Sequence, residues 1–286
     1  MNKPLVTVSI PTRNSARTLT KTLNSVCDQT YSNLEVNIID AGSVDKTIEI
    51  CQMFVRARKI KLEVIVCTKG SLLTAREKGT KVARGKYLLI LDSDQILDKQ
   101  TIEKGVTFFE KGTYDMLALE EHSYRTDNFI EKMFEMDRRL IEKVKDLDPY
   151  TGVILPRFYR TNLLRRAFNQ IPKKMLDTLG GPDHAVIYFE AWSLSTKVGI
   201  LPKAVFHIEP NSLLGIWKKF FRWGYTGVSA RYGKYRQLME RKERFRTGMF
   251  TNGMMLESFA SLYLLLMKGL PYKIGYFYGI LKRKFN

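Results

Sequence analysis

GKYLLILDSDQ, residues 85–95, is an apolar run that ends abruptly on two carboxylates, Asp92 and Asp94, one residue apart. Tyr87–Leu91 has no polar alternation, as expected of a strand buried on both faces. Comparable runs precede it at 5–10 (LVTVSI), 34–39 (LEVNII) and 62–67 (LEVIVC). The polar segments between them carry apolar residues at helical spacing: Leu19, Leu23 and Val26, then Ile48, Cys51 and Phe54. This alternation predicts an α/β fold with a mostly parallel central sheet flanked by helices. Ligands of such sheets sit beyond the carboxyl ends of the strands. The residues found there are Pro11-Thr12-Arg13-Asn14, Asp40-Ala41-Gly42-Ser43-Val44-Asp45 and Asp92-Ser93-Asp94.

Two carboxylates at one strand end are costly to bury unpaired and well suited to a divalent cation that bridges a diphosphate. Mg²⁺ or Mn²⁺ is the expected cofactor. The same Asp-Ser-Asp turn also fits a plain cap for a helix over 99–109, because Asp and Ser are common caps. Asp45 is expected to be such a cap, for the helix that follows it. Farther along, 128–144 reads as a helix, a looped region containing Pro156, Pro172 and Gly180-Gly181-Pro182 comes next, and a last apolar strand spans 204–208.

The segments VSIPTRN, NIIDAGSVDKT, the Ala75-Arg76 pair and GKYLLILDSDQ stand in the order and spacing of GT-A family 2 glycosyltransferases, which the chain resembles over roughly residues 5–230. The resemblance implies a metal-dependent, inverting transferase that moves a sugar from a UDP- or GDP-sugar to a lipid-linked or surface-glycan acceptor. Position by position, it implies that Thr12 and Asp40 contact the nucleotide base and ribose and that Arg76 contacts the diphosphate or base. Asp94 would be the principal metal ligand, with Asp92 toward the ribose or a metal-bound water. His207 would complete the metal or diphosphate site, and Lys218, Lys219 and Arg222 would close over the diphosphate. The catalytic base falls on Asp183, in Gly181-Pro182-Asp183-His184, where Pro182 replaces the acid usual in the family. A helix cap at Asp183 and a base role for His184, whose ring titrates near neutral pH, remain open readings. Ala41 and Gln95 also depart from the family's acidic residues.

Charge divides the chain. Of the formal +18, a net +12 lies in residues 211–286, with 15 Lys or Arg against three acids. The expected organisation is a catalytic domain over 1–210 and a basic, aromatic-rich helical extension over 211–286. Within the extension, 254–267 and 270–281 are apolar but each too short to span a bilayer. Aromatic and apolar residues flanked by Lys and Arg suit a helix lying on an anionic membrane surface, and equally a helix pair packed on the catalytic domain. Three cysteines with no Cys-x-x-Cys pair argue against a zinc site or disulfide framework. No cleavable leader pattern is apparent at the N-terminus, so the expected location is cytoplasmic and peripheral on the inner face of the cell membrane. A nucleotidyltransferase would ordinarily need a glycine-rich loop after the first strand, and Pro11–Arg17 contains no glycine. A basic nucleic-acid- or membrane-binding protein without catalysis is the other alternative. No nucleic-acid module is visible, and nucleic acid is not an expected partner.

Overall fold

The computed structural model describes residues 3–57, 60–67, 70–231, 233–242 and 253–284. Tyr232 and Glu243, part of the aromatic and charged content of the tail, lie outside the described residues. The chain opens with β1 (Val6–Thr12), α1 (Ala16–Cys27), β2 (Leu34–Asp40), α2 (Thr47–Arg56), β3 (Lys61–Val66), α3 (Leu72–Val82) and β4 (Tyr87–Ile90). It continues through β5 (Gln95–Leu97), α4 (Thr101–Glu110), β6 (Met116–Ser123), α5 (Phe129–Val144), β7 (Pro156–Arg160), α6 (Thr161–Asn169), α7 (Lys173–Leu176), α8 (Asp183–Leu194) and β8 (Val198–His207). The last helices are α9 (Leu213–Gly227), α10 (Arg236–Lys242) and α11 (Met255–Lys284).

The strands form one sheet in the order β3-β2-β1-β4-β7-β6-β8-β5. β3, β2, β1 and β4 run parallel, as the apolar runs predict. The other half is mixed: β7 is antiparallel to β4 and β6, β6 is parallel to β8, and β5 is antiparallel to β8. Val6, Val8 and Ile10 of β1 bury one face against Leu19, Leu23 and Val26 of α1, together with Ile102 and Phe109 of α4. On the other face Leu88 and Ile90 pack with Leu73 of α3, Leu164 of α6 and Val186 of α8. Apolar burial on both faces is why these strands lack alternation.

Three readings of the second half need correction. The looped region after α5 contains β7, α6 and α7; β7 begins at Pro156, a position where a missing N–H costs no ladder bond. The last strand begins at Val198, well before residue 204. A register shift on its partner between Leu119 and Glu121, and Lys203 at φ 48°, interrupt its apolar pattern. The two apolar tail segments are one 30-residue helix, α11, which runs through Pro271.

α11 crosses α9 at close range because glycine lines the crossing. A Cβ at Gly224 would collide with the Tyr272 carbonyl oxygen, and one at Gly275 with the Phe221 carbonyl oxygen. Ala260 and Leu264 are buried on the same side of α11, and Lys268 pairs with Asp137 of α5 at 3.3 Å. Gly275→Val is therefore expected to separate the two helices and to destabilise by about 3 kcal/mol, the upper range for overpacking. The midpoint of urea unfolding measures it; an unchanged midpoint would mean that α11 is held elsewhere.

Candidate active site

The carboxyl ends of β1, β2 and β4 bring Thr12, Asp40, Asp92 and Asp94 to one edge of the sheet. Thr12 Oγ1 donates to Asp40 Oδ1 at 2.9 Å. Asp40 also accepts from the Ser43 hydroxyl at 2.5 Å and from the backbone N–H groups of Gly42 and Ser43 at 3.0 and 2.8 Å. Asp40 therefore shapes its own turn, with Thr12 as partner. Lys46, not Asp45, is the cap residue of α2, but Asp45 braces the turn before it: Oδ1 accepts from Thr47 N at 3.0 Å and Oδ2 from Ala16 N at 3.1 Å, joining the starts of α2 and α1.

The two acids of the Asp-Ser-Asp turn have different surroundings. Asp92 Oδ1 accepts from Arg76 Nη2 at 2.8 Å and Oδ2 from Arg157 Nη1 at 2.6 Å. Burial works against the charge, but Arg76 and Arg157 hold the Asp92 carboxyl well below the usual carboxylate range. Both oxygens are thus turned to arginines. Asp94 is more open, with its side chain 31% exposed, 3.5 Å from His207 Nε2 and 3.7 Å from Lys219 Nζ. The turn is braced from both sides: Thr22 Oγ1 donates to Ser93 O at 3.0 Å, and Ile208 N to Asp94 O at 2.8 Å. Gln95 replaces the family's acid with a bifunctional amide, accepting from Asp92 N at 3.0 Å and donating to Glu121 at 2.9 Å.

His207 is backed by a carboxylate, its Nδ1 lying 3.3 Å from Glu209 Oε2. Burial lowers its pKa, but Asp94 and Glu209 outweigh that and raise it. Glu209 in turn pairs with Arg138 of α5, and Arg138 Nη1 donates to Glu121 Oε2 at 2.7 Å. Arg157 Nη2 reaches Glu121 Oε1 at 3.5 Å, which closes the chain back to Asp92. An imidazole Nε2 and a carboxylate face each other across 3.5 Å, with a second carboxylate behind the ring. That donor set fits a divalent cation.

Asp183, the first residue of α8, is 2% exposed and ion-paired to Arg76 Nε. It makes no capping bond, so the cap reading falls. It sits on the Asp92 side of the network, joined through Arg76, whose Nη1 is buried without a hydrogen-bond partner. His184 Nε2 meets Arg157 Nη1 and lies 3.8 Å from Asp92 Oδ2. Burial, then the Arg157 and Arg76 cations, push its pKa down to about 4. A base poised near neutrality is therefore not what this ring supplies.

In front of Asp94 opens a pocket of about 520 Å³, lined by Arg17, Lys218, Lys219 and Arg222 together with Pro210 and Gly215. Four cations around one acid suit a diphosphate. Burial and the neighbouring Arg13 cation lower the Arg222 pKa, while Asp94 opposes them. The fold thus gathers Asp94, Lys218 and Arg222 at one pocket, sets His207 beside Asp94, and links Arg76, Asp92 and Asp183 by ion pairs. Sequence reasoning missed Arg17, Glu121, Arg138 and Arg157. Arg157 stood in a segment read as loop, and only its pairing into β7 brings it to Asp92; Arg17, just past the first strand end, was within reach of the strand-end rule.

The sequence profile of the family described as Glycosyl transferase family 2 matches residues 7–171, more than half of the chain. The chain belongs to this family. Among curated relatives, "Glycosyltransferase GlyG" of Streptococcus pneumoniae is 35% identical over 103 residues, covering 35% of this chain and 33% of that protein. Poly(ribitol-phosphate) beta-N-acetylglucosaminyltransferase TarS of Staphylococcus aureus is 26% identical over 160 residues, 55% of this chain and 28% of the relative. These matches thus span about a third or less of the relatives' length. Among solved structures, S. aureus TarS 1–349 in complex with UDP-GlcNAc has a TM-score of 0.56 at 20% identity, covering 91% of this chain and 79% of that one. The mannosyltransferase PcManGT of Pyrobaculum calidifontis, in complex with GDP-Man and Mn²⁺, has a TM-score of 0.59 at 17% identity, covering 96% and 73%. At these identities the likeness establishes the GT-A fold.

In this family 2 chain the site carries a pH signature. The folded protein keeps His184 neutral down to about pH 4, whereas the unfolded chain takes up that proton below its ordinary value of 6.5. A depressed histidine pKa contributes stability above the unfolded value and loses it as pH falls toward the folded one. The loss is on the order of 3 kcal/mol at the acid end. His184→Gln should flatten the decline of melting temperature between about pH 6.5 and 4.5, above the range where most carboxylates titrate. Parallel declines in variant and wild type would place the proton uptake on another group.

Proposed function

We propose that the protein is an inverting, metal-dependent glycosyltransferase that moves a sugar from a UDP- or GDP-sugar to a lipid-linked or surface-glycan acceptor. The observation that carries this reading is that Asp94, paired with His207, lines a pocket shared with Arg17, Lys218, Lys219 and Arg222. Mg²⁺ or Mn²⁺, held by Asp94 and His207, would supply charge neutralisation for the departing nucleoside diphosphate. The four cations bind its phosphate oxygens, and Glu209 keeps His207 oriented. Thr12 and Asp40 border the nucleoside, with Arg76 and Asp92 behind them. Asp183 takes the proton of the acceptor hydroxyl as its oxygen bonds to the anomeric carbon and the bond from that carbon to the diphosphate breaks. The segment 211–286 works with the 1–210 domain, because α9 supplies three of the four cations.

Thermal scanning with Mn²⁺ and UDP or GDP tests the site, since a ligand raises the melting temperature only where the folded protein binds it. A metal-dependent rise with one nucleotide, lost in Asp94→Ala, is expected; a rise that survives the substitution would move the metal elsewhere. Asp183→Asn should keep that rise while transfer falls by about 10²–10⁴-fold, as removal of a positioned base implies. Equal loss of binding and transfer would make Asp183 a support for Arg76.

The support for a lipid-linked acceptor and a membrane-surface location is α11. Met255, Phe259, Leu266, Leu270, Phe277 and Leu281 are each more than half exposed and fall on one face of the helix, with Lys273, Lys282 and Arg283 also exposed along it. Among the described residues no helix is long and apolar enough to cross a membrane. An apolar stripe with cations fits the surface of an anionic bilayer, peripherally and on the cytoplasmic face. The wild type should sediment with anionic vesicles at physiological salt and the variant Phe259→Glu/Leu266→Glu/Phe277→Glu should not. Retention on oligonucleotides instead would favour nucleic acid as the tail's partner.

A further inference from the structure

We propose that Glu120, His122 and Glu142 form a second metal site, separate from the Asp94–His207 pair, for a first-row divalent ion of the Zn²⁺ type. Glu120 and His122 stand two residues apart on β6, and Glu142 comes from α5, which lies over that strand. One donor atom from each falls within 4.8 Å of the others. His122 Nε2 is buried without a hydrogen-bond partner and points to Glu120, 3.9 Å from its Oε2. The opposite ring nitrogen, Nδ1, lies 3.6 Å from Glu135 Oε1. An imidazole with a carboxylate behind one nitrogen and carboxylates before the other is the arrangement that orients a metal-ligating histidine.

The two glutamates also lack a counter-charge. Glu120 is 4% exposed, and its Oε2 accepts from the backbone N–H of Lys203 at 2.7 Å. Apart from His122, no basic side chain forms an ion pair with Glu120 or Glu142 among the described residues. A divalent ion between them would balance both carboxylates and satisfy the orphaned imidazole nitrogen. One imidazole with two carboxylates is a borderline donor set that suits Zn²⁺ better than Mg²⁺, which favours oxygen alone. Ligand atoms about 2.0–2.2 Å from a tetrahedral ion are about 3.3–3.6 Å apart, so side-chain rotations that close the triad by up to about 1.5 Å suffice. A cavity of about 140 Å³ bordered by Glu120 and Glu142 offers entry, and Glu121, Arg138 and Arg157 line its other side. The ion would pin α5 to β6, and with it Arg138, the residue that holds Glu209 and Glu121.

The test is calorimetric titration of Zn²⁺ into the Asp94→Ala chain, a background in which the first pair has lost its carboxylate, combined with thermal scanning. One ion per chain is expected, with affinity reduced about tenfold or more when His122→Ala or Glu142→Gln is added. Glu142→Gln removes the facing like charge, so without metal it should melt no lower than the background while losing the Zn²⁺-dependent rise. No uptake by the Asp94→Ala protein, or uptake unaffected by both substitutions, would overturn the proposal and leave Glu120, His122 and Glu142 as a polar cluster without a metal.

Discussion

A carboxylate at the carboxyl end of β4 holds the site together. Asp92 is claimed by two guanidinium groups, Arg76 from α3 and Arg157 from β7. A charge placed there cannot be left without partners, because desolvation costs several kcal/mol per ion and is offset only by close, well-directed contacts. Arg76 carries the chain of pairs to Asp183 at the start of α8, and Arg157 carries it through Glu121 to Arg138 and Glu209. Elements far apart in sequence are thereby tied at one point: α3, β4, β6, β7, α5, α8 and the segment after β8.

This anchoring divides the labour of two neighbouring acids. Asp92 faces inward and fixes geometry, while Asp94, one strand-end step farther, remains open toward His207 and the cationic pocket. Alternation places Ser93 between them, where its hydroxyl meets Ser15 at 2.8 Å and its carbonyl accepts from Thr22. The turn is thus rigid on the α1 side and chemically presented on the other, as preorganised electrostatic sites require.

The segment after β8 serves two surfaces. α9 turns Lys218, Lys219 and Arg222 to the pocket, and its glycine-lined crossing with α11 sets the long helix against the domain. α11 buries Ala260, Ser261 and Leu264 and leaves Phe259, Leu266 and Phe277 outward. Basic charge in this quarter of the chain is therefore not one undifferentiated patch. Part of it surrounds Asp94 at the pocket, and part accompanies an apolar stripe.

The parallel half of the sheet was legible because its strands are buried on both faces, and a short continuous apolar run such as 87–91, closed by polar turn residues, suits a doubly covered strand. The strand-end positions of Thr12, Asp40, Asp92 and Asp94 followed from the same runs, and the bracing of the turn before α2 by Asp45 from local turn chemistry, one residue ahead of the cap itself. β6, β7 and the early part of β8 were hidden, since Pro156, the register shift near Glu121 and Lys203 at positive φ break the local patterns that mark a strand. The sequence by itself determined which acids stand at strand ends, because burial of apolar runs is a local property of composition. Only the tertiary structure decided which of those acids is sealed by arginines and which stays open, because Arg157, Arg138 and Glu209 reach them through strand pairing and helix packing across long sequence separations, which no local pattern encodes.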